Sequence, residues 1–262
     1  MGPVHLARSA EEHGGPHEPW FWDPTQQGGG VWSDMGCHSV AVGMEMVTPS
    51  GEAPDFMEPI EVTATMALLK WGLPTWKQKL LDIGVDYDKN PAEDYANASI
   101  TFRNPKSGQR ALVQATDAWC YDAPGLRLLM EAFGPGYSYT VDTLNAPTGL
   151  FIGDAAATAV ADAEIALEKS QASRGALILQ HDEPALYGYV GEWRDALASF
   201  AAGRDAYLNW GYGRKITALV MAGYMAHEDG GGTVAVGGWD ELLDTVANYV
   251  PLIQQGRGAD VL

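Results

Sequence analysis

Four strand-like runs, Ser99 to Arg103, Arg110 to Trp119, Leu126 to Phe133 and Tyr137 to Val141, follow one another with only short breaks between them. The breaks are Pro105-Lys106-Ser107-Gly108, Pro124-Gly125 and Gly134-Pro135-Gly136, residues whose backbone preferences favour a reversal of direction. Turns this short imply that consecutive strands pair antiparallel. Leu150 to Ile152 adds an edge strand. Pro59 to Lys70, with Ile60, Val62, Thr63 and Thr65, reads as a long strand before the meander, and Val4 to Ala7 as a short one that begins abruptly, like the middle of something longer.

Helical patterns dominate the second half. Glu192 to Ala202 (Trp193, Leu197, Phe200) and Arg214 to Glu228 (Ile216, Leu219, Val220, Tyr224) repeat apolar residues at helical spacing, and Ala155 to Leu167 is alanine-rich. Thr233 to Val236 reads as a strand, Trp239 to Tyr249 as a final helix and Trp76 to Leu81 as a short basic helical turn. Strands first and helices later predict an α+β fold, an open, mainly antiparallel β-sheet with helices packed on one face. No repeat, low-complexity tract or linker divides the chain, so 1–262 reads as a single α+β domain. Nor is there a strand-GxGxxG-helix unit, a P-loop or a nucleophile elbow, so no dinucleotide-binding domain is expected.

Composition excludes some partners. Hydrophobic residues make up 46% of the chain, with nine Trp and eleven Tyr, ample for a core. A formal net charge of −18 argues against nucleic acid and anionic membrane. Cys37 and Cys120 are too few for a disulfide framework, Met1 to His17 has no apolar signal region, and no apolar run approaches a membrane span. A soluble, cytoplasmic protein is expected. Asp82, Asp86, Asp88, Glu93 and Asp94 read as a solvated acidic loop without the glycine and glutamate of a calcium-binding loop, and His181 and His227 as solvent-facing.

The chemistry concentrates between Glu18 and Met46. An aromatic turn (Pro19, Trp20, Phe21, Trp22, Asp23, Pro24) runs into Gly28-Gly29-Gly30, after which Val31, Met35, Val42 and Met46 recur at helical spacing. Asp34 and His38 then lie one helical turn apart on a shared face. A carboxylate fixes an imidazole's tautomer and raises its basicity, so the pair suits general acid/base work; a surface ion pair or a satisfied core histidine is the alternative. Upstream, Glu11-Glu12-His13-Gly14-Gly15-Pro16-His17 is a loop rich in carboxylate and imidazole. His13, His17, Asp34 and His38 offer metal-binding atoms, but their spacing matches no zinc signature, so a polar substrate pocket or plain loop histidines are preferred to a metal site.

Together His13-Gly14-Gly15-Pro16-His17, Trp20-Phe21-Trp22-Asp23, Gly28-Gly29-Gly30 and Asp34-Met35-Gly36-Cys37-His38 resemble the start of the C-terminal domain of the Gfo/Idh/MocA oxidoreductases, the family of glucose-fructose oxidoreductase and inositol dehydrogenase. Glu168-Lys169-Ser170, Glu183, Tyr187-Gly188-Tyr189 and the segment Leu219 to Glu228 extend the likeness from Val4 to about Gly258. The resemblance implies a substrate and oligomerisation domain working beside an N-terminal Rossmann domain that carries NAD(P). It implies that Asp34 and His38 match the aspartate and histidine that position and deprotonate a sugar or polyol hydroxyl. Candidate substrate contacts around them are His13, His17, Trp20, Trp22, Arg127 and Tyr189. Trp119 and Arg127 match positions on the family's sheet; a cross-strand role is the alternative for Arg127, and capping the core for Tyr187 and Tyr189.

The family's catalytic lysine belongs to a Glu-Lys-Pro motif of the Rossmann half, and no Glu-Lys-Pro occurs here. No cofactor is therefore expected to bind this chain alone. NAD(P), implied by the family, would sit in a Rossmann partner subunit or a longer parent chain, and a homo-oligomer would form through the open sheet. Two other classes stay open: a stand-alone redox-neutral lyase, isomerase or hydrolase using the Asp34/His38 pocket, with or without a metal, and a non-catalytic binding or assembly module.

Overall fold

The computed structural model describes residues 2–122, 125–142, 146–152, 176–179 and 188–262, with the backbone alone at 146–148, 151–152 and 176–179. The chain opens with β1 (Leu6–Glu12), passes a 3-10 turn (Pro19–Trp22) and the short α1 (Pro24–Gln27), and enters α2 (Val31–Val47). β2 (Glu58–Ala67), α3 (Pro74–Asp82), β3 (Tyr95–Arg103) and β4 (Arg110–Ala118) follow. Next come β5 (Arg127–Gly134), β6 (Tyr137–Asp142), β7 (Ala146–Ile152) and β8 (Ala176–Leu179). α4 (Tyr189–Ala202), α5 (Trp210–Glu228), β9 (Thr233–Ala235) and α6 (Trp239–Val246) lie beyond them. The expected helix Ala155 to Leu167 falls outside the described residues, as do Glu168-Lys169-Ser170, His181, Glu183 and Tyr187.

The strands form one sheet in the order β8-β7-β6-β5-β1-β4-β3-β2-β9. Every neighbouring pair is antiparallel except β1 and β4, which run parallel with Leu6 opposite Leu112 and Glu12 opposite Ala118. The open, mainly antiparallel sheet is thus present, with one correction. β4 and β5 are not neighbours, because β1 lies between them and pairs with both. A Pro-Gly break marks a reversal of the chain without naming the partner, and the segment from Ala118 to Arg127 is long enough to step over one strand. β1 also runs on to Glu12, through residues read as loop, and β7 is an inner strand with β8 at the edge.

α2 rests on β1 and β4, and α5 on β2. The side of the sheet they cover is apolar and finely stepped, with Ala7, Val62, Ala98, Ile100, Phe102, Val113 and Ala115 all buried against Val40, Met44 and Leu219. Trp32 fixes the gap between the two helices: its indole is wholly buried and donates from Nε1 to the carbonyl of Val220 at 2.9 Å. His227, expected in solvent, is half-buried. It accepts the Met66 N–H at Nδ1, 3.3 Å, and its Nε2 lies 3.1 Å from the Val261 carbonyl, so burial lowers its pKa.

The largest departure from the sequence reading is at Glu93 and Asp94, which are wholly buried rather than solvated. A buried carboxylate is tolerated only where donors replace its lost water, and here the backbone supplies them. Glu93 accepts from Gly30 N–H (3.0 Å) and Trp32 N–H (3.1 Å) at the first turn of α2, and from the Tyr224 hydroxyl of α5 (2.6 Å), while its own carbonyl takes Val31 N–H at 2.9 Å. The negative charge thereby meets the positive end of the helix. Gly30 is required for this approach, since a Cβ there would lie 2.1 Å from the Glu93 carbonyl oxygen. Asp94 accepts from Leu69 N–H (2.7 Å) and Trp71 N–H (2.6 Å), and its carbonyl takes Trp119 N–H at 2.8 Å.

Burial raises the Glu93 pKa from 4.5 to about 7 against the pull of those donors. A folded-state pKa above the unfolded one means stability present at low pH and lost as pH rises, here between 4.5 and about 7. Glu93→Gln, which mimics the protonated acid, is expected to flatten this part of the denaturation-midpoint-versus-pH curve. Glu93→Ala, which orphans several buried donors at ~1–3 kcal/mol each, is expected to destabilise the fold by roughly 3 kcal/mol at neutral pH in chemical denaturation.

Candidate functional site

A cavity of about 880 Å³ opens where the end of β1, the following loop, the 3-10 turn and the first turn of α2 meet. Its lining includes Glu11, His13, His17, Trp22, Asp34 and Trp71. The back is an aromatic cluster: the Trp22 ring stands 4.4 Å from Trp71, 5.1 Å from Trp119 and 5.9 Å from Tyr87, centroid to centroid, in tilted and edge-on arrangements. Trp22 Nε1 donates to the Pro16 carbonyl at 3.2 Å and Trp71 Nε1 to the Trp119 carbonyl at 3.0 Å, which fixes both indoles. Asp94 anchors this wall through the backbone of Trp71 and Trp119.

Asp34 reaches the cavity because the Glu93-capped start of α2 points it there. Its Oδ2 accepts from Trp119 Nε1 at 3.1 Å and lies 3.6 Å from His13 Nε2. The Gly15 N–H donates to His13 Nδ1 at 3.0 Å, so Nδ1 is the unprotonated nitrogen and the proton sits on Nε2, facing Asp34. A carboxylate held by the Trp119 N–H with the His13 imidazole close by, partly exposed, is equipped to accept a further hydrogen bond from a hydroxylated ligand.

His38 is engaged elsewhere. Its Nδ1 lies 2.7 Å from Glu11 Oε2, and its side chain is 63% exposed. Contact with the Cys37 and Glu11 side chains raises its pKa well above the ordinary imidazole value. The shared helix face of Asp34 and His38 therefore carries two pairs rather than one: Asp34 with His13, and His38 with Glu11.

The cavity gathers His13, His17, Trp22 and Asp34 of the expected site residues. Trp20 is half exposed and lines a separate cavity of about 520 Å³ with Asp23, Gln26 and Asn90, on the other side of the 3-10 turn. Arg127 bridges Glu12 (2.7 Å) and Asp142 (3.3 Å), an ion-pair row across β1, β5 and β6. Tyr189 is exposed at the start of α4. Among the described residues no group of His, Cys, Asp and Glu is arranged to hold a metal ion, so the four-residue metal set is not assembled. Glu11, Trp71 and Asp94 went unassigned in the sequence. The signal for Glu11 is its parity with Ala7 and Ser9 on a strand, which turns it inward.

A dinucleotide's phosphates do not fit at the start of α2. The glycine triplet leading into α2 offers the one helix start that resembles a phosphate cradle, but Glu93 already takes its N–H groups, and a phosphate there would meet that carboxylate.

The architecture is thus an open sheet with a helical layer on one side and a polar, aromatic-backed cavity at the end of its central strand. Residues 1–134, just over half of the chain, match the GFO/IDH/MocA C-terminal domain, and the chain belongs to that family. Its fold is similar to that of GenD2 from gentamicin A biosynthesis in complex with NAD, at 20% identity and TM-score 0.58 over 91% of this chain and 57% of that one. Levoglucosan dehydrogenase in complex with NADH and levoglucosan aligns at 15% identity and TM-score 0.63, over 90% of this chain and 59% of that one. UDP-N-acetylglucosamine 3-dehydrogenase GnnA from Acidithiobacillus ferrooxidans aligns at 17% and 0.52, over 86% and 54%. The chain thus spans less than two thirds of the length of each of these proteins. No curated protein matches it in sequence. No helix among the described residues is long and apolar enough to cross a membrane.

Gly15 holds the mouth of the cavity at φ +111°, and a Cβ there would lie 2.5 Å from the Trp22 ring. Gly15→Ala is expected to cost about 2 kcal/mol of stability through backbone strain and displacement of the indole, read by chemical denaturation and by a changed tryptophan emission of the folded state.

Proposed function

We propose that this chain is the substrate-binding and proton-handling domain of an NAD(P)-dependent sugar or polyol oxidoreductase. The observation that carries this reading is Asp34, a carboxylate pinned by Trp119 and His13 in a cavity walled by indoles. An indole face packs against the C–H side of a sugar ring, and Asp34, with His13 and His17 beside it, accepts and donates hydrogen bonds to the hydroxyl edge. Asp34 orients a hydroxyl in the cavity, while His38, one turn along α2 and facing solvent beside Glu11, is the proposed proton-exchange group for a substrate seated across the cavity rim, as the carbinol carbon changes oxidation state. The phosphates of the redox cofactor do not fit at the start of α2, and the cofactor belongs to another domain of a longer chain or to a separate Rossmann subunit. The family membership and the fold of sugar dehydrogenases found in complex with NAD or NADH support this division.

The face of the sheet opposite α2 and α5, on which no described helix packs, is the proposed contact with a second copy of the chain. Leu6, Leu112, Leu129 and Phe133 fall on this face by strand alternation and register, forming an apolar centre between rows of Thr and charged residues.

Titration calorimetry of the chain with a panel of monosaccharides and cyclic polyols is expected to find a binder whose affinity falls at least about tenfold, ~1.4 kcal/mol, in Asp34→Ala, with no stoichiometric binding of NADH. An unchanged affinity in Asp34→Ala would remove the assignment of the cavity, and tight NADH binding would remove the division of labour. Light scattering is expected to give a mass at least twice that of one chain; a strictly single-chain mass at high concentration would rule out the sheet-face contact.

A further inference from the structure

Glu11 and Asp117 stand directly opposite each other on the parallel neighbours β1 and β4, and strand alternation turns both toward α2. They are 7% and 0% exposed. Asp117 Oδ2 accepts the Ser39 hydroxyl at 2.7 Å, while its Oδ1 is buried without a hydrogen-bond partner. Glu11 Oε2 is 2.7 Å from His38 Nδ1, but makes no aligned hydrogen bond, so the contact is an ion pair. Two carboxylates on adjacent strands in a dry interior do not both ionise. Burial, with Glu11 alongside, pushes the Asp117 carboxyl far above the usual range. Asp117 is therefore the member held protonated, and Glu11 is the one that lies against the His38 imidazole. An apolar pair would fill the same space at less cost in desolvation, so the two acids are not explained by packing.

We propose that Glu11, seated beside protonated Asp117, is the positioning residue for His38: it binds Nδ1 and leaves Nε2 on the exposed side as the nitrogen that meets a substrate hydroxyl. Glu11 also forms part of the cavity wall, so the element that holds His38 is continuous with the pocket that holds Asp34. The groups facing the imidazole are Glu11 from β1, Asp117 from β4 and Cys37 from its own helix. The use of this device rests on the acid/base reading of His38, but its existence does not.

The test reads His38 itself. In long-range proton–nitrogen spectra of the chain carrying nitrogen-15 histidine, with the His38 signals assigned by their loss in His38→Gln, His38 is expected to titrate at least about one pH unit above the ~6.5 of a free imidazole. Glu11→Gln is expected to lower the His38 titration and change its Nδ1 signal, Glu11→Asp to restore part of that loss, and Cys37→Ser to lower the titration without changing the Nδ1 signal. Asp117→Asn, which copies the protonated acid, is expected to leave His38 unchanged. A folded Glu11→Gln with unaltered His38 signals overturns the proposal. So does an Asp117→Asn that lowers the His38 titration as far as Glu11→Gln, because the charge then resides on the other acid. If Glu11→Gln does not fold, the Asp117→Asn and Glu11→Asp spectra decide on their own. Unchanged turnover in His38→Ala would remove the acid/base reading of the previous subsection and leave this result standing.

Discussion

The arrangement depends on two adjacent buried acids. Glu93 takes over the first N–H groups of α2, and Asp94 ties the segment after β2 to the end of β4. The first fixes where Asp34 points and the second fixes Trp71 and Trp119, so the carboxylate of the cavity and its aromatic wall share one support. Burying charge is unfavourable in itself; satisfying it with backbone donors from three separate segments converts that penalty into a geometric constraint. Tyr224 extends the constraint to α5, which one turn earlier takes the Trp32 indole N–H on the Val220 carbonyl.

The same interaction decides what the helix start can do. A glycine-rich entry to a helix is a general anion receptor, and here the anion is the chain's own. That helix start is therefore closed to an outside anion. Along α2 the two groups that the sequence pairs are parted: Asp34 faces the cavity under the control of His13 and Trp119, and His38 faces solvent under the control of Glu11. Each imidazole or carboxylate that could move a proton has a protein partner that sets its orientation, an economy of design expected where geometry matters more than affinity.

Much of this was legible in the residues. The meander, the two long amphipathic helices and the glycine triplet before α2 follow from periodicity and turn chemistry, and the motif from His13 to His38 pointed to the family. What escaped is non-local. That β1 enters between β4 and β5 depends on pairing across more than 100 positions, as between Arg8 and Gln114, which are 106 apart. Glu93 and Asp94 look like any surface acids because the donors that allow their burial are backbone groups with no signature in the sequence. Glu11 was hidden in the same way: its role depends on the strand continuing past Ala7, which makes it an inward residue of a sheet rather than a member of a loop.

The insertion of β1 has a temporal consequence. Within this sheet the earliest strand in chain order is the central one, and both its partners come later, so its backbone groups stay unpaired while β2, β3 and β4 can already pair with one another. Such non-local closure is slow and raises contact order. Joining the β5–β8 half to the β2–β4 half waits on that strand. Glu11 and His13 ride on or just after it, whereas Asp34 rides on α2 and Trp119 follows β4, so the cavity exists only once β1 has joined β4 and α2 has packed on both. A partly folded molecule without that pairing has no partial cavity to offer.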